Sequence, residues 1–248
     1  MAILFWDKCT NGRYIRKNLS YFSIMNIKFS FTFILVVLLN ATGYMQKTNY
    51  SYLALGDSYT IGEKVEEKDN FPNQTITLLN QSGKIFEDAN IIAKTGWTTD
   101  ELQEKLAQVR LAIPFDIVTL LIGVNNQYRG RSAEEYAVQF EQLLQQAIGY
   151  AGGKNQHVIV LSIPDWGVTP FAADRDRKKI AEEIDQFNYI NKKIASQYQV
   201  HYLDITPFTR EAVNDLSLVA EDGLHPSGKD YKRWAVLVAK KIGEIINN

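Results

Sequence analysis

The chain of 248 residues has ordinary apolar and charged fractions, 46% and 22%, and a formal net charge of -1 at pH 7. That length supports a full-sized core, and near-neutral charge without a dense Lys/Arg stripe excludes the electrostatic footprint of a nucleic-acid binder. The lone cysteine, Cys9, can form no internal disulfide and has no companions for a metal site.

Residues 1–24 read as an N-terminal extension, longer and more mixed than a charged leader, whereas Met25-Asn26-Ile27-Lys28 opens one naturally. The apolar run Phe29 to Leu39 follows, and then the small and polar residues Asn40-Ala41-Thr42-Gly43. Residues 25–43 therefore have the layout of a signal peptide or N-terminal anchor. Roughly eleven apolar residues fall short of the about 20 that span a bilayer, so export and cleavage near Gly43 are expected. The mature protein is expected to be secreted or periplasmic, with any membrane attachment confined to this N-terminal segment.

From residue 48 to 248 no linker or low-complexity stretch interrupts the chain, which reads as one domain. Apolar runs of strand length occur at Tyr50 to Leu55, Ile85 to Ala93, Asp116 to Ile122, His157 to Ile163 and Val200 to Ile205. Their near-continuous hydrophobicity predicts strands buried on both faces. Between them, helical periodicity covers about 72–80, 99–109, 133–150 and 176–197, with a last helix at about 227–246. Thr98-Thr99-Asp100-Glu101 supplies a helix start, and Gly152-Gly153 a helix stop. Such alternation predicts an α/β protein, a three-layer α/β/α sandwich with a flavodoxin-like parallel sheet of about five strands. In that architecture, ligands gather beyond the carboxyl ends of the strands.

The chemically useful residues fall on those ends. Ser58, in Gly56-Asp57-Ser58, follows the first strand, and Gly96 follows the second. Gly123-Val124-Asn125-Asn126 follows the third, and Asp222-Gly223-Leu224-His225 lies beyond the fifth. A serine hydroxyl needs a neighbouring base to become a nucleophile, and His225 is the candidate, because His157 and His201 sit at strand beginnings. Asp222 is close enough to orient that imidazole. The backbone N–H groups of Ser58 and Gly96 and the Asn125 amide are candidate donors for an oxyanion.

These four blocks resemble those of the SGNH, or GDSL-type, esterases and lipases, over about residues 50–245. The resemblance implies the SGNH hydrolase fold and a serine esterase working through an acyl-enzyme without a cofactor. It implies that Ser58 is the nucleophile, His225 the base and Asp222 its orienter, with Ser58, Gly96 and Asn125 forming the oxyanion hole. The family usually carries Asp where this chain has Asn126. The Gly-x-Ser-x-Gly elbow of other α/β hydrolases is absent, since Tyr59 and Thr60 follow the serine. A metal site is not expected, because Asp222 and His225 are only two possible ligands and zinc needs three or four. A non-catalytic binding module for acylated glycan or lipid is the alternative.

Trp97, Asn126, Tyr128 and Trp166 are candidate substrate contacts; these aromatics and Phe171 either line the site or cap the sheet edge. Arg129 and Arg131 add positive charge beside the third block. Without an evident hydrophobic lid, short acyl or acetyl esters are expected, on carbohydrate or as lysophospholipid. Amino-terminal sequencing of the mature protein is expected to read from just after Gly43, and to find no product beginning before Met25.

Overall fold

A computed structural model describes residues 49–112 and 114–247; the expected extension at 1–24 and leader at 25–43 lie outside the described residues. Five parallel strands, β1 (Tyr52–Asp57), β2 (Asn90–Lys94), β3 (Ile117–Leu121), β4 (Val158–Leu161) and β5 (His201–Leu203), form one sheet in the order β2-β1-β3-β4-β5. Every residue of β1, β3 and β4 is buried, as their unbroken apolar runs require. The first connection runs to one side of β1 and the later ones to the other, so right-handed crossovers place helices on both faces.

The helices are α1 (Ser58–Ile61), α2 (Phe71–Gln81), α3 (Thr99–Gln108), α4 (Val124–Tyr128), α5 (Ala133–Tyr150), α6 (Arg177–Gln197), α7 (Thr206–Arg210) and α8 (Gly228–Ile246). On one face α2 packs against α8; on the other α5 packs between α3 and α6. The predicted three-layer sandwich is the observed fold. Side chains fix α2, α3, α5 and α6 at their starts. Asn70 accepts from Asn73 N–H at 2.9 Å, Ser132 from Glu135 N–H at 3.1 Å and Asp176 from Lys179 N–H at 3.0 Å, while Thr98 and Glu101 form a capping box on α3.

The differences from the sequence reading lie at element ends. β1 runs on to Asp57, so Gly56 and Asp57 belong to the strand, with Gly56 paired to Ala93 on one side and Leu121 on the other. β2 starts at Asn90 instead of Ile85. Tyr50 and Phe86 pair as an isolated bridge, and one extra residue separates that pairing from Leu53 with Asn90, a bulge that takes the chain out of the ladder. The one-turn helices α1 and α4 stand where the sequence reads as loop, being too short to show a helical period.

Gly56 is where the sheet meets α1. A Cβ there would lie 2.1 Å from Thr60 Oγ1 and 2.5 Å from the Leu121 carbonyl oxygen, so only glycine lets the strand end this close to its neighbours. Gly56→Ala is expected to destabilise the fold by about 1–3 kcal/mol or more through overpacking. Urea unfolding should show a lowered midpoint at unchanged slope.

Candidate functional site

The strand order reverses at β1, and Ser58 and Asn125 flank that switch from the carboxyl ends of β1 and β3. Ser58 is the buried first residue of α1. Asp57 begins the turn that presents it, accepting from Tyr59 N–H at 3.0 Å.

Beyond β2 the chain turns at Lys94-Thr95-Gly96-Trp97. Trp97 N–H donates to the Lys94 carbonyl at 3.2 Å and Gly96 sits at φ +85, the signature of a type II turn. Among the described residues nothing accepts the Gly96 N–H. Beyond β3, Gly123 at φ +133 turns the chain into α4 against the Tyr136 ring, where a Cβ would lie 2.6 Å from the ring edge. The Asn125 side-chain amide then donates to the Trp97 carbonyl at 3.0 Å and to Asp57 Oδ2 at 3.3 Å.

The fourth loop carries its own orienting bonds. Asp222 Oδ1 accepts from Leu224 N–H and His225 N–H, both at 3.0 Å, and Oδ2 meets His225 Nδ1 at 2.6 Å. Gly223, at φ +69, makes the bend that brings the carboxylate back onto the ring. Burial works to raise the Asp222 carboxyl, but hydrogen bonds from the His225 ring and the two N–H groups outweigh it and hold the group below its ordinary value. That hydrogen bond fixes Nδ1 and leaves Nε2 facing away from Asp222. The Tyr59 ring confines the imidazole from the side, with centroids 5.0 Å apart.

Ser58, Gly96, Asn125 and His225 line one cleft of about 170 Å³. The Ser58 hydroxyl makes no hydrogen bond to the imidazole, though both line the same cleft. His157 and His201 lie at the opposite end of the sheet, where His157 Nδ1 meets the Asp116 carbonyl at 2.7 Å. Among the described residues no group of three or more His, Cys, Asp or Glu side chains is arranged to hold a metal ion.

Tyr128 and Trp166 line the cleft with Phe171, as an aromatic wall whose ring centroids lie 5.3 to 6.3 Å apart. Trp166 is buried and held by Nε1–H donating to Gln127 Oε1 at 2.7 Å. Two sequence candidates lie elsewhere. The Trp97 side chain packs against the core, and its carbonyl, not its ring, serves the site. Asn126 is fully buried and bolts α4 to α3, accepting from Thr99 N–H at 3.1 Å and donating to Thr99 Oγ1 at 2.7 Å. An asparagine takes this post because it must both accept and donate. Asp57 and Tyr59 also belong to the site, and the sequence alone does not mark them. The signal for Asp57 is a carboxylate closing a strand whose other residues are apolar or glycine.

Residues 54–233 match the model of the GDSL-like Lipase/Acylhydrolase family. Among solved structures, TesA superimposes with TM-score 0.62 at 16% identity, over 79% of this chain and 99% of its own. The acetylxylan esterase Axe2 from Geobacillus stearothermophilus gives 0.60 at 18%, over 79% and 96%. The lipase/acylhydrolase from Enterococcus faecalis gives 0.59 at 20%, over 79% and 96%. At such identities the likeness is one of fold. No curated protein sequence matches the chain. The matched family covers most of the domain: the chain belongs to the GDSL-like lipase/acylhydrolase family and is an ester-bond hydrolase.

Burial pushes the Asp57 carboxyl up to about 7, against the opposing pull of the Tyr59 N–H and the Asn125 amide. Between roughly pH 4, where a free aspartate ionises, and about 7 the unfolded chain releases a proton that the folded chain keeps. Asp57 therefore makes stability fall as pH rises through that window. In Asp57→Asn this contribution is expected to vanish. Urea titrations at either end of the window should show the variant gaining stability relative to the parent as pH rises; equal slopes would mean Asp57 stays ionised in the fold.

Proposed function

We propose that the domain is a serine esterase for short acyl esters, working through an acyl-enzyme. The observation that carries this reading is the convergence of Ser58, the Asp222–His225 pair and the Gly96 and Asn125 donors on one small cleft. Ser58 Oγ attacks the ester carbonyl carbon as its proton passes to His225 Nε2. Asp222, bonded to Nδ1, keeps the imidazole in the accepting tautomer and stabilises it once protonated. The negative charge that grows on the carbonyl oxygen is met by the N–H groups of Ser58 and Gly96 and by the Asn125 amide. Of the two bonds that amide makes, the 3.3 Å one to Asp57 is the weaker and is the one an oxyanion would share. His225 then protonates the departing alcohol, and a water, deprotonated by the same ring, releases the acid.

Size and lining support the substrate class. Clefts for drug-sized ligands run to roughly 300–1,000 Å³, whereas this one offers about 170 Å³ beside an aromatic wall. A short acyl group fits such a space, and the flat faces of Tyr128 and Phe171, both exposed, suit a carbohydrate alcohol. An acetylated carbohydrate is therefore the preferred substrate; the similarity of fold to an acetylxylan esterase agrees with that choice. The leader-like run at 25–43 supports a site of action outside the cytoplasm.

With short-chain nitrophenyl esters, Ser58→Ala is expected to lose about 10⁶ in turnover and Asp222→Asn roughly 10⁴, with folded spectra retained. Rates should fall steeply from acetyl and butyryl to decanoyl esters. Hydrolysis unaffected by Ser58→Ala would end this reading.

A further inference from the structure

The Gly96 N–H is useful only while the type II turn holds. In the type I alternative the central peptide is flipped and its N–H points the opposite way. Glycine at φ +85 permits type II but also tolerates the flip, so the turn needs a restraint from outside. The structure supplies one on each side of the central peptide. Ahead of it, the Thr95 hydroxyl donates to the Glu63 carboxylate. Behind it, Arg129 Nη2 donates to the Gly96 carbonyl at 2.6 Å.

Arg129 is itself held. It caps the end of α4, donating its own N–H to the Asn125 carbonyl at 3.0 Å, and its Nη1 reaches Glu101 Oε1 at 3.3 Å. Glu101 is fixed in turn, since its other oxygen accepts from Thr98 N–H at 2.9 Å in the capping box of α3. The guanidinium fork thus spans from the turn to the helix that follows it, and its bond to Gly96 is short and charge-assisted. On the same turn of α4, Asn125 holds the next carbonyl, that of Trp97.

We propose that Arg129 is a positioning residue for catalysis: by gripping the Gly96 carbonyl it keeps the Gly96 N–H aimed into the cleft beside Ser58. This rests on the reading of Gly96 as an oxyanion donor. A half-exposed ion pair contributes little to stability, so the arginine can be removed without unfolding the domain.

Arg129→Ala is expected to lower kcat on a short-chain nitrophenyl ester by about tenfold to a hundredfold, short of the 10²–10³ lost with a whole donor. KM should stay within about twofold, since a group felt only in the transition state leaves ground-state binding alone. A short alkyl boronic acid, which becomes tetrahedral on Ser58, should lose affinity by a similar factor. Guanidinium chloride at millimolar concentration should restore part of the kcat of Arg129→Ala while leaving the parent unchanged, and Arg129→Lys should fall between the two. The proposal is overturned if kcat is kept in Arg129→Ala, or if the loss comes without weaker boronate binding and without guanidinium rescue. An inactive parent protein would instead strike down the esterase reading, so the two failures are separable.

Discussion

A single nitrogen, Asn125 Nδ2, joins three of the four strand-end loops. It donates to Asp57, which adjoins Ser58, and to the carbonyl of Trp97, which adjoins Gly96, while Asn125 itself stands at the head of α4. Neither strand ends nor short loops are rigid by themselves, so a hydroxyl and two donors on separate loops need a shared tether to hold their mutual distances. The tether works because β1 lies between β2 and β3, which brings the three loops side by side at the switch point. It also explains a buried carboxyl directly before the serine. Asp57 costs stability as pH rises, yet it supplies both the acceptor that starts α1 and the acceptor that draws Asn125 toward Ser58.

The fourth loop is built on a different principle. Asp222 satisfies the N–H groups of its own turn with one oxygen and the imidazole with the other, so the carboxylate and imidazole arrive as a preformed pair. Its connection to the rest of the cleft is backbone to backbone: Phe171 N–H donates to the Gly223 carbonyl at 2.9 Å. The aromatic wall and the acid–base pair are therefore parts of one continuous rim, and changes at Phe171 should be read with that bond in mind.

Much of this was legible in the residues, and the remainder was hidden for identifiable reasons. β1, β3 and β4 announce themselves because strands buried on both faces must be apolar throughout. β2 and β5 lie at the edges, where partial exposure weakens the pattern, and the boundary of β2 was displaced by the bulge after Phe86. Ser58, Gly96, Asn125, Asp222 and His225 could be collected on one edge from order alone, since each follows a strand or the last loop. Sequence could not tell which atoms of a residue face the cleft. Side-chain type points Trp97 and Asn126 at the cleft, whereas Trp97 meets Asn125 through its carbonyl and Asn126 bonds to Thr99. Arg129 showed only its charge, because its partner is a carbonyl oxygen, which leaves no mark on residue identity.

The irregular start of β2 has a bearing on how molecules of this protein meet one another. Among the described residues β2 is an edge of the sheet, and such edges invite another chain to add itself as a further strand. The bulge between Phe86 and Asn90 breaks the row of peptide groups that a newcomer would need, and β5, at the other margin, offers only three residues. Neither described edge therefore presents a long regular row of peptide groups, and the kink that shortens β2 lies in the strand leading into the Gly96 turn.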